Sequence, residues 1–420
     1  MHIRRMLGLV ASEAIIVGAC SSGTSSSAPS KAASAAPSAA ASAAPSAASV
    51  APVVTPGPSL VTAAELGSTQ GQTINVLSWP GYVENGSTDK AVDWVTDFQK
   101  SSGCTVKNQS FGTSDEAYAL FTTNPEQFDV VSASGDASLR LIYAKAVAEV
   151  NVGLIPSYKD FFKAFQSPAN NTVGGKHYGI SVQFGPNVLM VNTKKYGKAP
   201  TSWSAIYDPK NKGKITIPDN PIQIADAALY LSKTQTSLGI TDPYELTKTQ
   251  LDAVVKLLKG QRPLIKKYWG LASDQIDLFK NGGSTIGASW PYQVNTLKAA
   301  KVPVVGVNPK EGVTGWLDTW MLSSKAKHPN CAYKWMQYIT KPTPQAQQAV
   351  YFGETPVNKK ACAVMDKLSK GSCAQYSGNA PESYYRSIKF WKTPIADCGN
   401  GKKDCMDLRA WTTAWTQIKG

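Results

Sequence analysis

The sequence predicts an α/β fold, and three observations carry that reading. From Thr73 onward, short β-rich runs alternate with stretches of helical period, the pattern of a parallel sheet with right-handed crossovers. At Gln183-Phe184-Gly185-Pro186 the alternation shifts, and the Gly-Pro break marks a place where the chain leaves one domain for another. Polar and aromatic residues gather where strands stop: Trp79 and Tyr82, Ser134 to Asp136, and Asp219 to Gln223. In open α/β sheets, ligands bind beyond the carboxyl ends of the strands.

Taken in order, TINVLS at 73–78 is a strand that ends in the turn Trp79-Pro80-Gly81-Tyr82. Ala91, Trp94, Val95 and Phe98 then fall on one face of a helix. A second strand covers 104–109, and Thr113 with Glu116 forms a capping box for the helix carrying Tyr118 and Leu120. A third strand at 128–131 breaks at Ser134-Gly135-Asp136 before a helix through Leu139, Ile142 and Ala146. Strands at 178–181 and 188–192 flank the Gly-Pro break, and another at 214–217 stops at Pro218-Asp219-Asn220. Two helices follow, one with Ile224, Ala227, Ala228 and Leu231 inward, the next capped by Thr247 and Gln250 with Leu251, Val254, Val255 and Leu258 inward. Strands at 284–288 and 316–322 precede a helix with Ala332, Trp335, Met336 and Ile339 on one face. A last helix starts at Thr343, with Pro344 in its first turn, and closes at Gly353.

Composition bounds the function. The 420 residues, 42% hydrophobic and 9% aromatic, suffice for two or three domains with a sizeable core. The net charge of +14 is scattered rather than gathered into a patch with exposed aromatics, which argues against nucleic acid and suits a surface facing an anionic envelope. Only His2, His177 and His328 are present and the cysteines show no CxxC spacing, so no metal or other cofactor is expected. There is no HExxH, no GxSxG and no histidine base near a nucleophile. The chain therefore reads as a non-enzyme, a secreted hydrolase with paired carboxylates being the catalytic alternative.

Arg4 and Arg5, an apolar run to Val17 and then Gly18-Ala19-Cys20 describe a secretory signal over residues 1–20. The cysteine after the small pair resembles the lipobox of bacterial lipoproteins, although Glu13 interrupts the apolar run. That resemblance implies cleavage before Cys20, a lipid on its sulfur, and an extracytoplasmic protein anchored to the membrane. Residues 21–70 are Ala, Ser and Pro with few charges, a disordered tether unable to offset its conformational entropy by burial. The remaining six cysteines suggest disulfides. Close spacing favours Cys362–Cys373 and Cys398–Cys405 and leaves Cys104–Cys331.

The candidate binding residues centre on 290–318. Trp316 and Asp318, two apart in a strand, point to one face. An indole beside a carboxylate suits an organic ammonium, the ring contributing roughly 0.5–2 kcal/mol and the carboxylate the counter-charge that a desolvated cation needs. Two core tryptophans and a solvated aspartate are the alternative reading of the same stretch.

From about Ile74 to Asn358 the sequence resembles the spermidine/putrescine-binding proteins of bacterial ABC importers. The resemblance lies in Trp79-x-x-Tyr82, in Thr201-Ser202-Trp203 with Tyr207 and Lys212-Gly213, and in Pro309-Lys310-Glu311-Gly312 before Trp316-x-Asp318, with Trp290 ahead of them. It implies the two-lobe periplasmic-binding-protein (Venus flytrap) fold with a ligand cleft between lobes: 71–183 and 317–361 as the first lobe, 184–316 and 362–420 as the second. Trp79, Trp290 and Trp316 would wall the methylene chain of a polyamine and Asp318 would bind an ammonium. Where the family carries two second-lobe acids, this chain has Asn220 and Gln223; Glu354 and Asp136 stand where the family has aromatics. With Tyr82 and Ser134 these complete the expected site. Implied partners are an ABC permease with its ATPase and a small organic cation, the protein itself a monomer. Another solute (a mono-amine, amino acid, choline-like cation or sugar) is the alternative ligand.

Overall fold

The structure, a computed structural model, describes residues 61–398 and 403–420. The signal segment, Cys20 and the tether up to residue 60 lie outside the described residues. Fourteen strands appear among those described: β1 (Thr73–Ser78), β2 (Thr105–Ser110), β3 (Val130–Ala133), β4 (Thr172–Val173), β5 (Lys176–His177), β6 (Ile180–Pro186), β7 (Val188–Asn192), β8 (Ile215–Pro218), β9 (Ile265–Trp269), β10 (Ile286–Ser289), β11 (Val304–Val307), β12 (Thr314–Leu322), β13 (Thr355–Pro356) and β14 (Lys389–Phe390). Apart from the small β4–β5 hairpin they form two sheets. One has the order β13-β6-β12-β3-β1-β2, with β14 beside β12; the other is β11-β7-β10-β8-β9. Both sheets are mixed: β1 runs parallel to β2 and β3, whereas β12 is antiparallel to β3 and β6, and β7 to β10 and β11.

Each sheet is the centre of one lobe. In the first, Ile74, Val76, Val130, Val182, Leu317 and Trp320 pack with Phe98, Trp335 and Tyr333 of the covering helices. Phe98 and Trp320 each meet Trp335 edge-on, at centroid distances of 5.0 and 5.4 Å, a preferred geometry for aromatic pairs. In the second, Leu189, Val191, Ile215 and Ile286 face Trp203 on one side, and Val188 and Met190 face Phe279 and Leu297 on the other. Burial on both faces explains why these strands read as apolar runs rather than alternations.

The chain passes between lobes at Asn187, which separates β6 from β7, between β11 and β12, and again after β14. The Gly-Pro pair, expected as a break, instead completes β6, because Gly185 and Pro186 are paired to Trp316 and Gly315. Buried Asp226 of the helix Gln223–Thr234 ties the first two passages together. It accepts a hydrogen bond from Thr314 Oγ1 and one from Asn187 Nδ2 at 3.1 Å. Its carboxyl is raised to about 7 because burial outweighs those two hydrogen bonds.

Several boundaries differ from expectation: 184–186 and 314–316, assigned to the second lobe, lie in β6 and β12 of the first sheet. Residues 61–70, assigned to the tether, pack on the first lobe: Val61 and Leu66 lie against its core, and Thr69 Oγ1 donates to Ser102 O at 2.6 Å. Residues 362–390, assigned to the second lobe, belong to the first by packing. The helix Ala361–Leu368 lies against the helix Pro342–Phe352, β14 extends the first sheet, and Tyr385 sits in its core. The final helix, Leu408–Lys419, packs on the second lobe, with Trp411 and Trp415 against Leu251 and Val254, and Met406 just before it bonds Leu246 O through its backbone N–H. The three expected disulfides, Cys104–Cys331, Cys362–Cys373 and Cys398–Cys405, are all formed.

Candidate functional site

A cleft of about 830 Å³ lies between the lobes. The first lobe lines it with Trp79, Tyr82, Glu84, Ser134, Trp316, Asp318, Phe352 and Glu354, and the second with Asp219, Asn220, Trp269, Trp290 and Tyr292. Trp391, just past β14, lines it too. Among these and the other described lining residues there is no lysine, arginine or histidine.

The strand β12 aims the two central groups. Trp316 and Asp318 both reach the cleft while Leu317 between them enters the core. A bulge between Asp318 and Thr319 shifts the register against β6, so Trp320 can join Leu317 in the core; strict alternation would send it to the opposite face. The indole of Trp316 lies on Gly185, where a Cβ would come within 2.5 Å of the ring. Any side chain at that position would displace it.

Tyr82 reaches the site from the turn after β1. Trp94 Nε1 holds its carbonyl at 3.1 Å, and Gly81, at φ +84°, leaves room for Phe352, whose Cζ lies 2.8 Å from where a Cβ would stand. Its hydroxyl donates to Asp318 Oδ2, and Ser134 Oγ donates to Asp318 Oδ1 at 2.5 Å. Glu354 follows the left-handed Gly353 that closes the helix Pro342–Phe352. A helix C-terminus carries partial negative charge, so an acid placed there further favours a bound cation.

The electrostatics are those of a site short of positive charge. Asp318 is 3% exposed and raised to about 6; burial is the main cause, opposed by Ser134 and Tyr82 and reinforced by Asp136. Glu354 is 6% exposed and pushed well above the usual carboxylate range by burial and then by Asp318. Its Oε2 has no hydrogen-bond partner. Two buried carboxyls, one of them raised further by the other, invite a cation between them, which would relieve both penalties.

The aromatic walls meet around these acids. Trp269 and Trp290 stand edge-to-face at 4.9 Å, Trp290 lies 6.5 Å from Trp391, and Trp79 lies 4.5 Å from Phe111. The indole N–H groups of Trp79, Trp269, Trp290, Trp316 and Trp391 have no partner.

Of the ten expected ligand residues, eight line the cleft: Trp79, Tyr82, Ser134, Asn220, Trp290, Trp316, Asp318 and Glu354. Asp136 and Gln223 do not. Asp136 is buried behind the wall, where it accepts from Ser114 Oγ at 3.0 Å and from Asn220 Nδ2 at 3.3 Å, so its carboxylate joins the lobes. Gln223 starts a helix and is 3% exposed, outside the cleft lining. The expectation missed Glu84, Asp219, Trp269, Tyr292, Phe352 and Trp391. Trp269, which ends β9 just before Gly270, could have been found by the same strand-end argument as Trp79. Trp391 carries no such signal: its backbone N–H bonds Gly315 O at 2.7 Å, and its carbonyl fits only because residue 135 is glycine.

Similarity to known proteins agrees with this geometry. The spermidine/putrescine-binding periplasmic protein 1 of Haemophilus influenzae is 24% identical over 270 residues, covering 64% of this chain and 70% of that one. The putrescine-binding periplasmic protein PotF of Escherichia coli is 24% identical over 360 residues, 81% of this chain and 90% of that one. Among solved structures, the spermidine/putrescine ABC transporter substrate-binding protein of Streptococcus pneumoniae superposes with a TM-score of 0.64 at 17% identity, covering 83% of this chain and 97% of that one. The Tp0655 lipoprotein of Treponema pallidum superposes with a TM-score of 0.65 at 13% identity, covering 83% and 99%. Residues 93–372 match the profile of the bacterial extracellular solute-binding proteins, and the chain is a member of that family.

Proposed function

We propose that this chain is the lipid-anchored receptor of an ABC importer and that its cleft captures an amine of the polyamine class for delivery to a membrane permease. The observation that carries the ligand class is the pair Asp318 and Glu354, buried together in an aromatic cleft whose described lining contains no basic side chain. The ammonium would sit between these carboxyls, and Trp79, Trp290 and Trp316 would cover the methylene chain. Tyr82 and Ser134 hold Asp318 in place, so that little reorganisation is needed when the cation arrives.

Nothing in this reading calls for chemistry on the ligand. An amine bound to the acids of one lobe recruits the other by hinge closure, to the extent that it binds the closed form more tightly. The relatives named above for spermidine and putrescine support the ligand class, and the signal with Cys20 supports the anchor.

A thermal-shift panel tests the ligand. Putrescine or spermidine at about a hundred times its dissociation constant should stabilise the protein by about 2.7 kcal/mol, read as a clear rise in melting temperature. If di- and polyamines leave the curve unmoved while a sugar or an amino acid shifts it, the ligand class is wrong. For the anchor, metabolic labelling with a radioactive fatty acid should mark the wild type and not Cys20→Ser.

A further inference from the structure

A symmetrical diamine asks for an acid at both ends, and the acids of the cleft are unevenly placed. Asp318, Glu354 and Glu84 all belong to the first lobe; among the described lining residues, Asp219 is the second lobe's one acid. Asp219 follows β8 directly, at the strand end where a ligand's far end would arrive. Both its oxygens are already engaged by the last helix. Lys419 Nζ lies 2.7 Å from Oδ1 and 2.8 Å from Oδ2, and Trp415 Nε1 donates to Oδ1 at 2.9 Å. Neighbouring Asn220 is neutral, its Oδ1 taken by Ile222 N and its Nδ2 by Asp136.

We propose that Lys419 is a built-in counter-cation that withdraws Asp219 from ligand binding, so that the cleft selects an amine charged at one end and neutral at the other. This rests on the amine reading given above. What the second lobe otherwise offers is an aromatic wall, from Trp269, Trp290 and Tyr292. Such a wall can cover a neutral end without a counter-charge, whereas a second ammonium left unpaired there would be costly. An amine whose far nitrogen is acylated matches both poles, its free ammonium on Asp318 and Glu354 and its uncharged acyl end against the aromatic wall. The C-terminal helix would therefore set specificity from outside the cleft, as a positioning element rather than a contact.

The test is calorimetric titration of the whole chain with putrescine and with N-acetylputrescine. The wild type should bind N-acetylputrescine at least as tightly as putrescine. In Lys419→Met, Asp219 is released to meet a second ammonium, and the affinity ratio should move toward putrescine by about tenfold, the worth of one charge-assisted hydrogen bond. Lys419→Arg keeps the counter-charge and should retain the wild-type ratio, which a merely structural role for the lysine would not distinguish from Lys419→Met. A wild type that prefers putrescine by tenfold, or a folded Lys419→Met with an unchanged ratio, overturns the proposal. Should Lys419→Met fail to fold, the wild-type ratio decides alone. If both amines bind and the ratio is contrary, only this inference falls; if neither binds, the amine reading falls and takes it along.

Discussion

The wall that the first lobe gives to the cleft carries Asp318, Glu354 and Glu84 with the hydroxyls of Tyr82 and Ser134, while the second lobe's wall carries Trp269, Trp290 and an aspartate already held by a lysine. The difference assigns different work to the two lobes. On the proposed reading the first would recognise charge, through an Asp318 held by hydrogen bonds from Tyr82 and Ser134 and a Glu354 beside it. The second supplies apolar cover, and an indole face attracts a cation only weakly when solvated but by about 2 kcal/mol or more once closure removes water. Charge recognition before closure and aromatic cover after it is the order such a division implies.

The largest effect should come from the charged wall. Asp318→Asn keeps an acceptor for one of the two hydroxyls, of Ser134 and Tyr82, and turns a donor toward the other, but removes the counter-charge. Truncating one partner of a buried charged pair costs about 2–5 kcal/mol, so amine affinity should fall by roughly a hundredfold in calorimetry. If Trp290→Ala proves the more damaging of the two, the division of labour is wrong.

Stability offers a second contrast. Cys104–Cys331 links β2's start to the helix Pro329–Ile339 across a sequence separation of 227 within the first lobe, whereas Cys398–Cys405 closes a separation of 7 beside the second. Replacing the long-range pair by Cys104→Ser with Cys331→Ser should cost about 2–5 kcal/mol and lower the unliganded melting temperature. The short loop should contribute less, since closure entropy grows with loop length. Equal losses from the two double variants would contradict this. Next in size is Trp290→Ala itself. Loss of one aromatic face from the cover should weaken amine binding by about tenfold and act mainly through faster dissociation, read by stopped-flow with tryptophan fluorescence.

How much of this was legible in the sequence follows the same line. The pair Trp316 and Asp318 could be read because they lie two apart in one strand, and the sheet keeps that geometry. The bulge after Asp318 could not, since it depends on the register against β6. Glu354 was legible as a position after a helix-closing glycine. Asp136 was misplaced because its partners, Ser114 and Asn220, come from segments distant in sequence. Trp391 and the first-lobe membership of 362–390 escaped because they rest on a two-residue strand, β14, with no pattern of its own. Residues 61–70 lack the prolines of the Ala- and Ser-rich stretch before them, and Val61 and Leu66 lie against the first lobe's core.

The smallest predicted effect concerns pH, and it bears on the charged wall alone. Asp318 is raised to about 6 and Glu354 is also raised, against an unfolded carboxylate near 4. The folded, unliganded protein therefore holds protons that the unfolded chain has released. The stability associated with these acids is complete below about pH 4 and is lost as the pH rises through about 6, where the folded groups must ionise in a dry site. An ammonium arriving between them restores the missing counter-charge, and to do so it must displace the protons. Amine binding should thus release protons near pH 6, and the amine-induced rise in melting temperature should be larger at pH 7.5 than at pH 5. Calorimetry in buffers of different ionisation enthalpy measures the release directly. In Asp318→Asn it should fall to what Glu354 alone provides, while Trp290→Ala, on the other wall, should weaken binding without altering the protons released. A proton release that responds equally to both variants would mean that the two walls do not act separately.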